Sequence, residues 1–168
     1  MRTVALSTFA SACLLAGLFT APLTGVAAAK PRVDTKERAI VRAINRQRSK
    51  HGLSALRSSR RLAKAADFHS WEMLDANYFA HTSRDGGSFD ERVRRFVNKR
   101  ALGETLAYLG GGCRRGSARQ VVRMWMNSPP HRAILLSSTY RRVGVGKRVG
   151  SLGSRKACMV TADFSSKK

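Results

Sequence analysis

The last quarter of the chain constrains the fold most. Val143-Gly144-Val145-Gly146 and Ala157-Cys158-Met159-Val160 read as two strands, and Gly150-Ser151-Leu152-Gly153-Ser154 between them makes a hairpin the natural connection. What precedes is helical in pattern. Asp34-Thr35-Lys36-Glu37 reads as a capping box, and Ile40, Val41 and Ile44 follow at helical spacing to an end near His51-Gly52. Ser58 or Ser59 is expected to cap a second helix with Leu62, Ala65, Ala66, His69 and Met73 on one stripe. Phe68 and Trp71 lie off that stripe, which predicts a helix covered on more than one side. Ser88-Phe89-Asp90-Glu91 starts a third helix, to about Val97, and an extended piece holds Glu104 to Leu109. Ser117 begins a fourth, burying Val121, Val122, Met124 and Trp125; Ser128-Pro129 then opens a short fifth, capped by the serine. Early helices, late strands and no βαβ alternation imply an α+β layered domain.

The two ends of the chain differ in kind. Met1-Arg2 is basic, Ala5 to Val26 is apolar, and Ala27-Ala28-Ala29 places small residues before Lys30-Pro31. Residues 1–29 therefore read as a cleaved signal peptide, residues 30–37 as a tether and helix cap, and residues 38–165 as one domain. Thr20, Pro22 and Thr24 make the apolar run a poor permanent span. The formal charge is +22, and losing Arg2 with the leader leaves +21, spread in pairs such as Arg60-Arg61, Arg94-Arg95, Arg114-Arg115 and Arg141-Arg142. Such a surface meets polyanions: anionic envelope lipids, wall polymers or nucleic acid. Few aromatics are interleaved with the charge, and export points away from nucleic acid. Two cysteines remain after processing, Cys113 and Cys158, and in an exported protein an even pair reads as a disulfide.

Five motifs stand in order along the domain: H69-S-W-E-M, F79-A-H-T-S-R-D-G, G103-E-T-L-A, W125-M-N-S-P-P-H-R and G144-V-G. Together they resemble the bacterial, secreted SCP-like branch of the CAP superfamily, which groups cysteine-rich secretory proteins, antigen 5 and plant pathogenesis-related proteins. The likeness runs from about Arg38 to Phe164. It implies a three-layer α-β-α sandwich and a cleft lined by two histidines and two acids, which in some members holds a divalent metal. By motif the histidines match His81 and His131 and the first acid matches Glu104. Where the family often has a second glutamate, three residues past the helix-four tryptophan, this chain has Ser128. Asp85 is a weaker alternative for the missing acid.

Two imidazoles and a carboxylate are what zinc or another divalent cation takes, with one position left open. His81, Glu104, His131 and Ser128 are thus the expected cleft residues, with His81 and His131 the metal ligands if one binds. His69 is expected in the core, satisfied by a backbone carbonyl. His51 is expected to be a solvated helix cap, and Trp125 and Phe79 to be core. The favoured reading is a secreted, monomeric, non-enzymatic module whose cleft takes a metal or a small or lipid ligand. The alternative is a metal-assisted, peptidase-like hydrolase using His81, Glu104 and His131, or a metal-free one with Ser83 as nucleophile. Neither an H-E-x-x-H nor a G-x-S-x-G motif is present.

Overall fold

The computed structural model describes residues 35–113 and 117–167. The leader, the tether, Asp34 of the capping box and the Arg114-Arg115 pair lie outside the described residues. The elements in order are α1 (Thr35–Lys50), β1 (Arg57–Ser58), α2 (Arg60–Asp75), α3 (Phe89–Arg94) and β2 (Leu102–Gly110). They continue with α4 (Ser117–Asn127), α5 (Pro129–Leu135), β3 (Arg142–Leu152) and β4 (Arg155–Ser165). The strands form one sheet in the order β1-β3-β4-β2. β1 runs parallel to β3, and the remaining pairs are antiparallel.

Strand alternation divides the core between the two faces of this sheet. Val160, Ala162 and Phe164 of β4, with Val143 and Val145 of β3, pack with Ile40 and Ile44 of α1, Val121 and Trp125 of α4, and Leu135 of α5. Met159, one residue out of phase, packs on the other face with Leu106 and Met73 of α2. Leu62 and Ala65 of α2 meet Val93 of α3 on that same side. Helices thus cover both faces, giving the α+β sandwich.

Two glycines explain how close α2 lies to the sheet. A Cβ on Gly144 would run into the backbone of Leu62 and Ala63, and one on Gly146 into Ala66 and Asp67. The G-V-G motif is therefore a seat for helix backbone, which any side chain would lift off. Ser59 takes the N-cap of α2, its hydroxyl accepting from the Leu62 amide at 3.4 Å, because Ser58 is drawn into β1.

At the β2 edge of the sheet a tryptophan of α4 reaches the strand backbone. Trp125 is 1 % exposed and its indole N–H donates to the Leu106 carbonyl at 2.8 Å. The edge strand thus offers one less free acceptor to a passing strand. Cys113, just past β2, is bonded to the fully buried Cys158 of β4, with Cα atoms 5.5 Å apart.

Several local expectations are corrected. Phe68 and Trp71 are 38 % and 42 % exposed and lie against each other, so α2 is covered on its sheet side and open on the other. Phe79, expected in the core, is 46 % exposed at the rim beside Tyr108. Met124 is exposed on α4. The third helix stops at Arg94 rather than Val97, and the hairpin strands extend well past the apolar quartets that announced them. Ser128 holds the N-cap place of α5 in extended conformation, yet its hydroxyl makes no cap hydrogen bond.

Candidate functional site

Glu104 sits near the start of β2, 2 % exposed, and faces the α2 side of the sheet. Its Oε1 accepts from His81 Nδ1 at 2.8 Å. Its Oε2 accepts a short hydrogen bond from Arg92 NH2. Arg92 comes from α3 and is 1 % exposed; its NH1 also donates to the His81 carbonyl at 3.1 Å and to Ser83 Oγ at 2.8 Å. One guanidinium thus neutralises the buried carboxylate and ties down the loop that carries His81.

A second acid lies directly across the ladder. Asp163 of β4 is in register with Glu104 and fully buried, and neither of its oxygens has a hydrogen-bond partner among the described residues. Burial pushes its carboxyl well above the usual carboxylate range, and the Glu104 charge pushes further, against the opposing pull of Arg92. The shift favours the protonated form of Asp163, set against the Glu104 carboxylate and the Arg92 guanidinium.

His131 is brought to the same place by α5. Its ring centroid lies 6.2 Å from that of His81, with the planes at 53°. Half-burial pulls His131 below the ordinary histidine value, and the neighbouring His81 pulls it the same way. His81 itself is half open to solvent. Because its Nδ1 donates to Glu104, its Nε2 is left as the outward atom.

The loop holding His81 is anchored by a second buried cluster. His69, at the sheet side of α2, has Nε2 at 2.9 Å from the Ala80 carbonyl and Nδ1 at 2.9 Å from Glu72 Oε2. Glu72 also accepts from Tyr78 Oη at 2.8 Å and from the Arg84 amide at 3.1 Å. Burial raises the Glu72 carboxyl, but these bonds, led by His69 and Tyr78, outweigh it and leave a net depression. The expected core role of His69 is what the structure gives, with a carboxylate added to the carbonyl.

Of the expected cleft residues, His81, Glu104 and His131 lie together, and Ser128 stands at the head of the helix that carries His131. Asp85 does not join them: it is exposed, bonded to the Gly87 amide at 3.0 Å and 3.4 Å from Arg95. Ser83 is buried with its hydroxyl held by Arg92 rather than presented as a nucleophile. Among the described residues, no three His, Cys, Asp or Glu side chains form a metal-holding group. Arg92 and His81 each donate to one oxygen of Glu104, so the carboxylate orients the His81 imidazole. Sequence reasoning missed Arg92 and Asp163. The visible signal for Asp163 was one acid inside the apolar run from Ala157 to Phe164.

Residues 41–164 match the family model described as the cysteine-rich secretory protein family. Over 113 residues the chain is 36 % identical to the uncharacterized membrane protein YlbC of Bacillus subtilis, covering 67 % of this chain and 31 % of that protein. Over 115 residues it is 33 % identical to the uncharacterized protein YkwD of the same organism, covering 68 % and 43 %. The chain thus spans less than half the length of these curated relatives. An extracellular protein containing a SCP domain from Bacillus anthracis superposes with a TM-score of 0.64 at 29 % identity, over 79 % of this chain and 40 % of that one. An outer surface protein of Borrelia burgdorferi gives 0.65 at 21 % identity, over 81 % and 97 %, a likeness of fold alone. No helix among the described residues is long and apolar enough to cross a membrane.

Proposed function

Because this chain belongs to the cysteine-rich secretory protein family, we propose that it is a secreted binding module rather than an enzyme. Its cleft offers the imidazoles of His81 and His131 to a small or lipid ligand, and its cationic exterior keeps it at an anionic envelope. The observation that carries this reading is the state of Glu104. This carboxylate is 2 % exposed, with Arg92 donating to one oxygen and His81 to the other, so the lone pairs that remain face a neutralising guanidinium and are shut away from solvent, which suits neither a general base nor a metal ligand. What remains open to a visitor is a pair of nitrogens suited to hydrogen bonds or to weak two-point coordination. A charged arginine against the carboxylate also lowers the electrostatic attraction for a cation, which disfavours the three-ligand centre that metal-assisted hydrolysis requires.

Calorimetric titration of the protein with zinc and with a long-chain fatty acid, beside a His81→Ala/His131→Ala double variant, tests it. A ligand bound by the wild type and lost in the variant, with no hydrolysis of peptide or ester substrates, is the expected result. Zinc-dependent turnover that the double variant loses would replace it with the hydrolase reading.

A further inference from the structure

The two helical layers differ in how their arginines are treated. On the α2/α3 side, four arginines have acids beside them: Arg84 with Asp75 at 3.0 Å, Arg94 with Asp90 at 3.4 Å, Arg95 with Asp85 at 3.4 Å, and Arg148 with Asp67 at 2.5 Å. The opposite layer is almost without acid. α4 and α5 contain none, and α1 has Glu37 alone, in its first turn. Between α1, α4 and α5 runs a groove of about 560 Å³ whose wall carries Arg46, Lys50, Arg119, Arg123 and Arg132, with His51 at its end. No carboxylate lines it. Among the described residues, none of these five cations forms an ion pair with an acid. Arg132 approaches His51 Nε2 at 3.2 Å instead.

The spacing is regular. Arg46 and Lys50 stand four residues apart on α1, and Arg119 and Arg123 repeat that step on α4. Four helical residues advance roughly 6 Å, so each row is a ladder of positive charge with that step. Like charges at this spacing weaken an isolated helix. An anion laid along the rows would remove the repulsion.

We propose that this groove binds a linear, base-free phosphodiester polymer of the alditol-phosphate kind. This rests on the reading of the exterior as directed at an anionic envelope, and gives it a place and a chemistry. A narrow trough between two cationic rows suits a thread better than a flat bilayer. The exposed aromatics that would enter a membrane, Phe68, Trp71 and Phe79, lie away from it, on α2 and the loop that follows. The floor is Ala43, Val122 and Met126, with no ring for a nucleobase to stack on, which disfavours nucleic acid.

The test is binding of a fluorescent poly(glycerol phosphate) oligomer to the protein at several salt concentrations. Three variants are compared: Arg119→Gln/Arg123→Gln in the groove, Arg60→Gln/Arg61→Gln on α2, and His81→Ala/His131→Ala. Thermal melts establish that each is folded. The groove variant should bind at least about tenfold more weakly, and its slope of log K against log salt should fall by about 1.4, at roughly 0.7 per lost phosphate contact. The α2 variant, equal in net charge, should change by less than about twofold, and the histidine variant should bind as the wild type does. Equal losses in the groove and α2 variants would reduce the effect to net charge and overturn the proposal. So would tighter binding to single-stranded DNA or to phosphatidylglycerol vesicles than to the polymer. Vesicle binding without polymer binding would sink the groove while leaving the envelope reading in place.

Discussion

Glu104 shows how much one side chain can be asked to do. It neutralises a buried guanidinium and sets the tautomer of a solvent-facing imidazole, from the interior of a strand. Glu104→Gln keeps the shape but leaves Arg92 buried without its anion, and a broken buried pair costs about 3–5 kcal/mol. Chemical denaturation should show that loss, and the His81 ring resonances should shift with it. Asp163 behaves in the opposite sense. Its proton affinity is raised on folding, so its contribution is fully present below the unfolded carboxyl value and is lost as pH climbs through the folded one. Asp163→Asn retains a neutral side chain and removes that titration. The melting temperature of the variant relative to wild type should therefore rise as pH increases above about 4. A constant difference across that range would contradict a raised Asp163 carboxyl. Both residues illustrate what a sequence hides. Arg92 and Asp163 are charged types at buried positions, and a charged residue in isolation reads as surface. Only the ladder that sets Asp163 opposite Glu104, and the placement of α3 that brings Arg92 to the same carboxylate, reveal what each faces.

At the scale of elements, the seat of α2 on β3 is the critical contact. Gly146→Ala places a methyl where the backbone of Ala66 and Asp67 already lies, and neither partner is a side chain that can rotate away. Overpacking of this kind costs typically 1–3 kcal/mol, and more where backbone must move. The variant should melt well below wild type, whereas Gly153→Asn, in a left-handed turn with open space around it, should be nearly neutral. The helices were legible in advance because apolar residues at 3.6-residue spacing mark one buried stripe, as in α1 and α2. β3 and β4 were read too short, since Lys147, Arg148, Arg155 and Lys156 interrupt the apolar alternation where the hairpin reaches toward solvent. β1 has two residues and leaves no pattern at all. Phe68 and Trp71 misled because apolar character was taken for burial, and exposure of single large side chains is ordinary.

For the whole molecule, the sandwich is held by two cores on either side of one sheet and by a covalent tie across it. The Cys113–Cys158 bond closes a 45-residue separation that contains α4, α5 and β3. Closing a loop of that length stabilises by about 4 kcal/mol in the chain-entropy model. A reducing agent, or Cys113→Ser paired with Cys158→Ala, should therefore lower the melting temperature markedly while leaving the far-ultraviolet spectrum of the folded state unchanged. An unshifted melt would mean that the intact cores alone set the stability.

The uneven placement of acids, paired with arginine around α2 and α3 and missing from α4 and α5, leaves the positive charge of the α4/α5 helices uncompensated by acids of their own. A body with that polarity would not meet an extended polyanion at random. If the groove takes a polyanion as proposed, the protein would turn during approach, within the ~10 Å over which the field survives at ordinary salt, and present α1 and α4 first. Phe68 and Trp71 on the far helix then face outward, toward whatever arrives next.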